Sequence, residues 1–363
     1  MRIAFYAPLK APDDPVPSGD RRMARLLIAA LARAGHEVEV ISRLRAFDGA
    51  GDVARQEGIR VAAEREIARI LAGSRPDLFF TYHLYYKAPD WIGPAIADRL
   101  AIPYVVAEPA FAPKRAKGPW AASHAQVARA LARADAALTL TTLDAACVGP
   151  ALRAPDRLVP LPPFLDSALF LTAKPARTAL GLPADKAILL AVGMMREGPK
   201  TQSYLALAAA LRVLPGEDWV MALVGDGPSR GEIATALRGL PVVFLGAKAP
   251  EDLPSIYASA DLYVWPAVHE AYGMALLEAQ AAGLPVIAGR ERGVPDVVMD
   301  GRTGVLVPPD DPAALAGAVR RLLDDRDLRE RLGRAARDFV RNERHLDQAA
   351  RTLDQAIDRA LRP

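Results

Sequence analysis

Glu270 and Glu278 stand eight residues apart in the stretch V-W-P-A-V-H-E-A-Y-G-M-A-L-L-E-A-Q-A-A-G-L-P-V-I-A-G, residues 264–289. The apolar run 262–265 ahead of Glu270 reads as a buried parallel strand. Gly273 permits a tight turn, and residues 274–282 have helix-forming composition. Glu270 is therefore expected in the loop at the carboxyl end of a strand. Glu278 is expected about one and a half turns inside the next helix. The amides of Tyr272, Gly273, Met274 and Ala275 are then the orphan donors of a helix start. Such a start suits an anion, and a diphosphate is the obvious candidate.

The elements that must position these groups alternate along the whole chain, as in α/β domains with parallel sheets. Strands are expected at 2–7, 37–42, 78–83, 104–108 and 136–140, with helices at 20–34, 64–72, 91–100 and 120–134 between them. The run V-P-L-P-P-F-L-D, residues 159–166, breaks any element and marks a linker. The alternation then restarts: strands at 188–192, 220–224, 242–245, 285–288 and 304–307, and helices at 203–214, 229–238 and 251–258. Asp310 and Asp311 precede a helix from Pro312 and can cap it. Residues 326–361 are charged and helical throughout. The expected fold class is α/β, with two doubly wound sheets.

The segments E-A-Y-G-M-A-L-L-E, A-A-G-L-P-V-I-A, G-V-P-D-V-V-M-D-G and T-G-V-L-V-P-P-D-D-P together resemble the donor site of family 4 retaining glycosyltransferases. The resemblance implies the GT-B architecture, two Rossmann-like domains facing across a cleft. It implies residues 1–165, completed by a returning helix at 346–363, as an acceptor domain and 166–345 as the nucleotide-sugar donor domain. Glu270 would lie by the donor sugar at the reacting centre and Glu278 would hold the nucleotide ribose. The amides of Tyr272, Gly273, Met274 and Ala275 would hold the diphosphate. In G-M-M-R-E-G-P-K-T, residues 193–201, many members have Gly-Arg and then a Lys about five residues on. Gly193 and Lys200 match, and Met194 stands where that Arg usually is. Arg196 is the candidate to supply the missing charge, since a leaving nucleoside diphosphate demands cation. Gly19, just before a helix, would approach the diphosphate from the first domain, although the usual glycine pair is reduced to one. Gly225-Asp226-Gly227-Pro228 resembles a turn lining the nucleotide site, and Asp226 reads as structural.

In the first domain, two predicted strands end in polar residues, His83 and Glu108. Ligands in open α/β sheets bind at such ends. His83 could orient a hydroxyl or be a satisfied core histidine. Glu108 could hydrogen-bond an acceptor. The run Lys114-Arg115-Ala116-Lys117 is either a solvated loop or a holder for an anionic acceptor, such as a phosphorylated lipid head group at a membrane surface. Tyr82, Tyr85 and Tyr86 either stack on sugar rings or simply pack.

The bulk figures narrow the classes. The chain has 363 residues, 51% of them hydrophobic and 25% charged, which suits two globular cores. Its net charge of +3 is too small to argue for nucleic acid. The opening M-R-I-A-F-Y-A-P-L-K reads as a strand rather than a signal peptide. The single Cys147 offers no internal disulfide and no thiolate cluster, and five histidines show no paired ligand spacing. A cytoplasmic protein is expected, with peripheral contact at the inner membrane face left open. No G-x-G-x-x-G follows the first strand, which argues against a dehydrogenase. The expected activity is metal- and cofactor-free retaining transfer from a nucleotide-diphosphate sugar, UDP- or GDP-linked, to the hydroxyl of a sugar, glycan or lipid-linked acceptor. An epimerase or phosphorylase on the same fold, and a non-catalytic sugar-nucleotide binder, stay as alternatives.

Overall fold

Near-continuous apolar strands need cover on both faces, and the helices between them supply it. The computed structural model describes residues 1–16 and 18–362. Pro17, in the loop before Gly19, and Pro363, at the end of the expected C-terminal helix, lie outside the described residues. The chain divides into two units, Met1–Pro162 with Leu346–Pro363, and Pro163–His345.

The first unit runs β1 (Arg2–Tyr6), α1 (Gly19–Arg33), β2 (Glu37–Ser42), α2 (Val53–Leu71), β3 (Leu78–Tyr82), α3 (Gly93–Leu100), β4 (Tyr104–Ala107), α4 (Ala121–Arg133), β5 (Ala136–Thr139), α5 (Thr142–Val148) and β6 (Leu158–Pro160). The strands are parallel in the order β2-β1-β3-β4-β5-β6. All residues of β3, β4 and β5 are buried, which is why they lack period-two alternation. Two differences from the sequence expectation have local causes. Helix α2 starts eleven residues before the expected 64–72, because Asp52 Oδ1 accepts from the amides of Ala54 and Arg55 at 2.9 and 3.1 Å. Gly58 inside it weakens the helical signal of that half. Strand β6 lies partly in the proline-rich run expected to be linker. It is an edge strand, where a missing N–H is tolerated.

The second unit runs α6 (Ala168–Leu171), β7 (Ala187–Val192), α7 (Pro199–Val213), β8 (Trp219–Val224), α8 (Arg230–Ala236), β9 (Val242–Gly246), α9 (Leu253–Ala258), β10 (Leu262–Trp265), α10 (Met274–Ala281), β11 (Val286–Gly289), β12 (Gly304–Val307), α11 (Pro312–Asp324) and α12 (Arg326–Glu343). Its sheet is parallel, in the order β12-β11-β10-β7-β8-β9. Asp311 caps α11, its Oδ1 accepting from Ala314 N at 2.8 Å. The charged stretch expected as one helix is two. It breaks after Glu343, and α13 (Leu346–Ala360) is part of the first unit. There α13 packs on α1, burying Leu353, Ala356 and Ile357, while Arg33 Nε meets Asp347 Oδ1 at 2.8 Å. Burial of the Leu and Ile side chains contributes about 1.5–3 kcal/mol each; the exposed ion pair adds little. Among the described residues, no helix is long and apolar enough to cross a membrane.

Candidate active site

Each sheet reverses its winding at one place, and in open α/β sheets that is where ligands bind. In the second sheet that place lies between β7 and β10, which are neighbours although the chain reaches β10 only after β8 and β9. Lys200 follows β7, on the first turn of α7, and Glu270 follows β10. Lys200 Nζ donates to Glu270 Oε2 at 2.6 Å. The same oxygen accepts from the Trp265 indole N–H at 3.1 Å. Glu270 Oε1 accepts no hydrogen bond among the described residues. The ammonium also sits 5.2 Å from the centre of the Trp265 ring. Tyr204 supports that ring edge-on, at 5.0 Å, and its hydroxyl donates to Gly193 O at 2.7 Å. Gly193, Lys200 and Glu270 thus belong to one connected group, tied together by Trp265 and Tyr204. A partly buried cation and carboxylate at such a reversal form a polar pair that a charged ligand can share.

The loop bearing Glu270 is held in an unusual shape. Ala267 and His269 have φ of 61° and 53°, and Gly273 has φ of 82°. Non-glycine residues at positive φ are strained, and such strain gathers at functional loops. Glu270 N donates to Ala267 O at 3.0 Å, and Val268 N donates to Ser203 Oγ at 3.0 Å. Helix α10 then starts at Met274, so the amides of Met274 and Ala275 precede its first internal turn. Tyr272 is buried beside them.

Glu278 lies on α10, as the spacing requires, but it is only 2% exposed and its Oε2 accepts from the Tyr257 hydroxyl at 2.7 Å. A carboxylate at that depth needs such partners. Arg196 is not brought to Glu270 or Lys200. Its side chain is exposed, and its carbonyl accepts from Thr201 N and Oγ1 at 3.2 and 2.8 Å. Met195, its neighbour, is buried. The Gly225–Gly227 turn backs this loop. Met195 N donates to Asp226 O and Ser229 N donates to Met195 O, at 2.9 and 3.0 Å.

The first sheet reverses between β1 and β3. Here too an ion pair spans the reversal: His83, after β3, places Nδ1 3.0 Å from Asp20 Oδ1, on the first turn of α1. Gly19 begins that helix, capped by Ser18 Oγ accepting from Arg21 N at 3.2 Å, and a Cβ at Gly19 would meet open space. His83 and Glu108 both have positive φ, 59° and 52°. Burial disfavours the charged His83 ring, but Asp20 and the nearby Glu108 more than offset it, so its pKa is raised. Burial opposes ionisation of Asp20 as well, and the adjacent His83 ring outweighs it, leaving that carboxyl lowered. Glu108 is pushed up to about 7, mainly by burial and further by Asp20 and Asp144, against the pull of His83. The basic run is not uniform. Lys114 and Lys117 are exposed, whereas the Arg115 guanidinium lies 5.0 Å from the Tyr86 ring centre and 5.1 Å from that of Trp120. Tyr86 and Trp120 meet edge-on at 5.5 Å, and Tyr85 lies 5.2 Å from His83. Tyr82 is buried core.

Both raised groups, Glu108 and His83, bind protons more tightly when folded. The Glu108 contribution to stability is present below the ordinary carboxylate range and is lost as pH rises through about 7, whereas that of His83 is lost only above the ordinary histidine range. Glu108→Gln is expected to flatten the decline in thermal midpoint between about pH 5 and pH 7.5. Unfolding scans across that range test it, and parallel curves for the two proteins would remove the assignment.

Residues 186–325 match the family described as Glycosyl transferases group 1. A D-inositol 3-phosphate glycosyltransferase of Corynebacterium diphtheriae is 34% identical over 204 residues, covering 52% of this chain and 47% of that one. Over those residues the second unit is similar to the group 1 glycosyl transferases. The chain spans about half the length of the curated relatives of this kind that it matches. By structure, sucrose-phosphate synthase from Thermosynechococcus elongatus superposes with a TM-score of 0.74 at 22% identity, over 98% of each chain. Anabaena HepE, in complex with UDP, gives 0.74 at 17% identity, over 99% of this chain and all of the other. The fold class is thus GT-B, with two Rossmann-like units. The group 1 match contains Gly193, Arg196, Lys200, Glu270, Tyr272 to Ala275 and Glu278, and none of the first-unit candidates.

Sequence reasoning overlooked Trp265, Tyr204 and Tyr257 as members of the site, and Asp20 as the partner of His83. Trp265 carried a signal, a large residue with one N–H closing a buried strand just ahead of Glu270. Tyr204 and Tyr257 carried none beyond helical periodicity.

Proposed function

We propose that this chain is a retaining glycosyltransferase that moves a sugar from a nucleotide-diphosphate donor to an acceptor hydroxyl without a metal ion. The Lys200–Glu270 pair beside the start of α10, at the reversal of a group 1 sheet, is the observation that carries this reading. A diphosphate docks on the amides of Met274 and Ala275, with Gly273 allowing close approach. Lys200 neutralises the charge that gathers on it as the glycosidic bond breaks, and Trp265 holds Lys200 and Glu270 in register. Glu270, with one oxygen free of protein partners, orients the sugar and stabilises its developing positive charge. Glu278 and Tyr257 form the ribose end. The acceptor binds on the first unit, at His83, Glu108 and the aromatic surface of Tyr85 and Tyr86. Its hydroxyl attacks the donor face from which the diphosphate departs, and the leaving phosphate takes its proton, so no separate base is assigned. UDP is the favoured nucleotide, since HepE, of like fold, is known with UDP bound.

A thermal-shift panel of UDP, GDP, ADP and their sugars tests the donor assignment. One nucleotide sugar is expected to stabilise the protein by about 2.7 kcal/mol at a hundred times its Kd, a rise of several degrees. Glu278→Gln should abolish the shift and Tyr257→Phe should reduce it. Silence across the whole panel, or a full shift in Glu278→Gln, would remove the donor site from α10.

A further inference from the structure

Outside both crevices, the first unit carries a groove of about 680 Å³ between α2, α3 and α4. Its walls hold five arginines against two carboxylates, Glu64 and Asp98. Both carboxylates are already taken, Glu64 by Arg60 at 2.6 Å and Asp98 by Arg133 at 2.5 Å. The other three, Arg99, Arg129 and Arg153, make no hydrogen bond, ion pair or ring contact among the described residues. They come from three separate places: the last turn of α3, the middle of α4, and the turn after α5. Like charges brought together without a counter-charge repel, so a groove built this way is unfavourable when empty and gains when an anion enters. Its floor is apolar, with Ala63 and Ile67 buried, and Trp91 lies at its edge. The size suits a small molecule; guanidinium forks bind carboxylate and phosphate oxygens alike, and three of them without a counter-charge favour the more highly charged phosphate.

We propose that this groove binds a phosphate- or diphosphate-bearing molecule, at a site separate from the donor crevice. The ester is either soluble or the head group of an anionic lipid, and the two sources share the same recognition chemistry.

The test uses the full chain, with inorganic pyrophosphate in equilibrium dialysis and, separately, phosphatidylcholine vesicles doped with phosphatidylglycerol in cosedimentation. Arg129→Ala/Arg153→Ala should weaken one or both by about tenfold or more. Neither arginine has a partner among the described residues to lose, and their removal relieves repulsion, so the thermal midpoint should hold or rise and should not fall. Lys200→Ala should leave groove binding intact, which separates this site from the donor crevice. Arg326→Ala/Arg334→Ala, on the exposed face of α12, serves as the control for general surface charge. Loss with pyrophosphate alone assigns a soluble ester, and loss with vesicles alone assigns a lipid head group; either supports the site. Three results would overturn it: no binding of either probe by the wild type, undiminished binding by the groove variant, or an equal loss in the α12 control.

Discussion

Lys200→Met is expected to lower kcat for sugar transfer by about 10²- to 10³-fold, with the fold intact. One positioned electrostatic group contributes about 2.7–4 kcal/mol at a site where charge develops. Lys200 is the one cation that touches Glu270 among the described residues. Methionine keeps the length of the stem and its contact with Trp265 while removing the charge. Nucleotide affinity should fall less than kcat, because the leaving diphosphate carries more charge in the transition state than in the bound donor. Glu270→Gln provides the complement: nucleotide binding retained, transfer lost. Steady-state rates with the nucleotide sugar that stabilises the protein decide the matter. An unchanged kcat in Lys200→Met, or equal loss of binding and transfer in Glu270→Gln, would move these residues from reaction to binding.

Gly225→Ala is expected to destabilise the second unit by about 3 kcal/mol or more. A Cβ at Gly225 would lie 1.9 Å from Gly193 O, and the residue has φ of +134°, a conformation side chains rarely adopt. Overpacking against backbone costs about 1–3 kcal/mol, and a forbidden backbone conformation costs about as much again. No rotamer relieves it, because the atom in the way is a carbonyl of the neighbouring site loop. That loop is itself fixed, since Gly193 N donates to Val224 O and Gly225 N donates to Gly246 O, each at 2.9 Å. For a unit of this size the cost converts to a fall of about 6–12 °C in thermal midpoint. Gly231→Ala is the control. It sits in α8 with open space at its Cβ, and alanine there should be neutral or stabilise by up to about 1 kcal/mol. Calorimetry of the two variants tests the pair, and matching midpoints would show that the close approach of the two loops does not constrain Gly225.

Much of the second unit was legible without coordinates. Strands such as Leu262–Trp265 and Gly304–Val307 are apolar runs bounded by turn residues, and those signals are local. Helix ends were less legible where a side chain set them, as Asp52 does for α2, and where a glycine weakened the run, as Gly58 does. The break at residues 344–345 carried no proline or glycine at all. It is decided by α13 burying its apolar stripe against α1, a contact between residues more than three hundred positions apart.

By itself the sequence determined two wound sheets, a helix start after a buried strand, and a short set of charged candidates around it. These rest on periodicity, composition and turn chemistry, all contained within a few consecutive residues. Tertiary structure alone decided which candidates meet. It brought Lys200 to Glu270, across seventy positions of chain, and left Arg196 exposed. It added the Trp265 indole to the same oxygen, set Glu278 against Tyr257, and joined Asp20 to His83. Such pairings depend on the order of strands in a sheet, which places the loops after β7 and β10, and after β1 and β3, side by side. No local pattern encodes that order, since it is fixed by the packing of the whole unit.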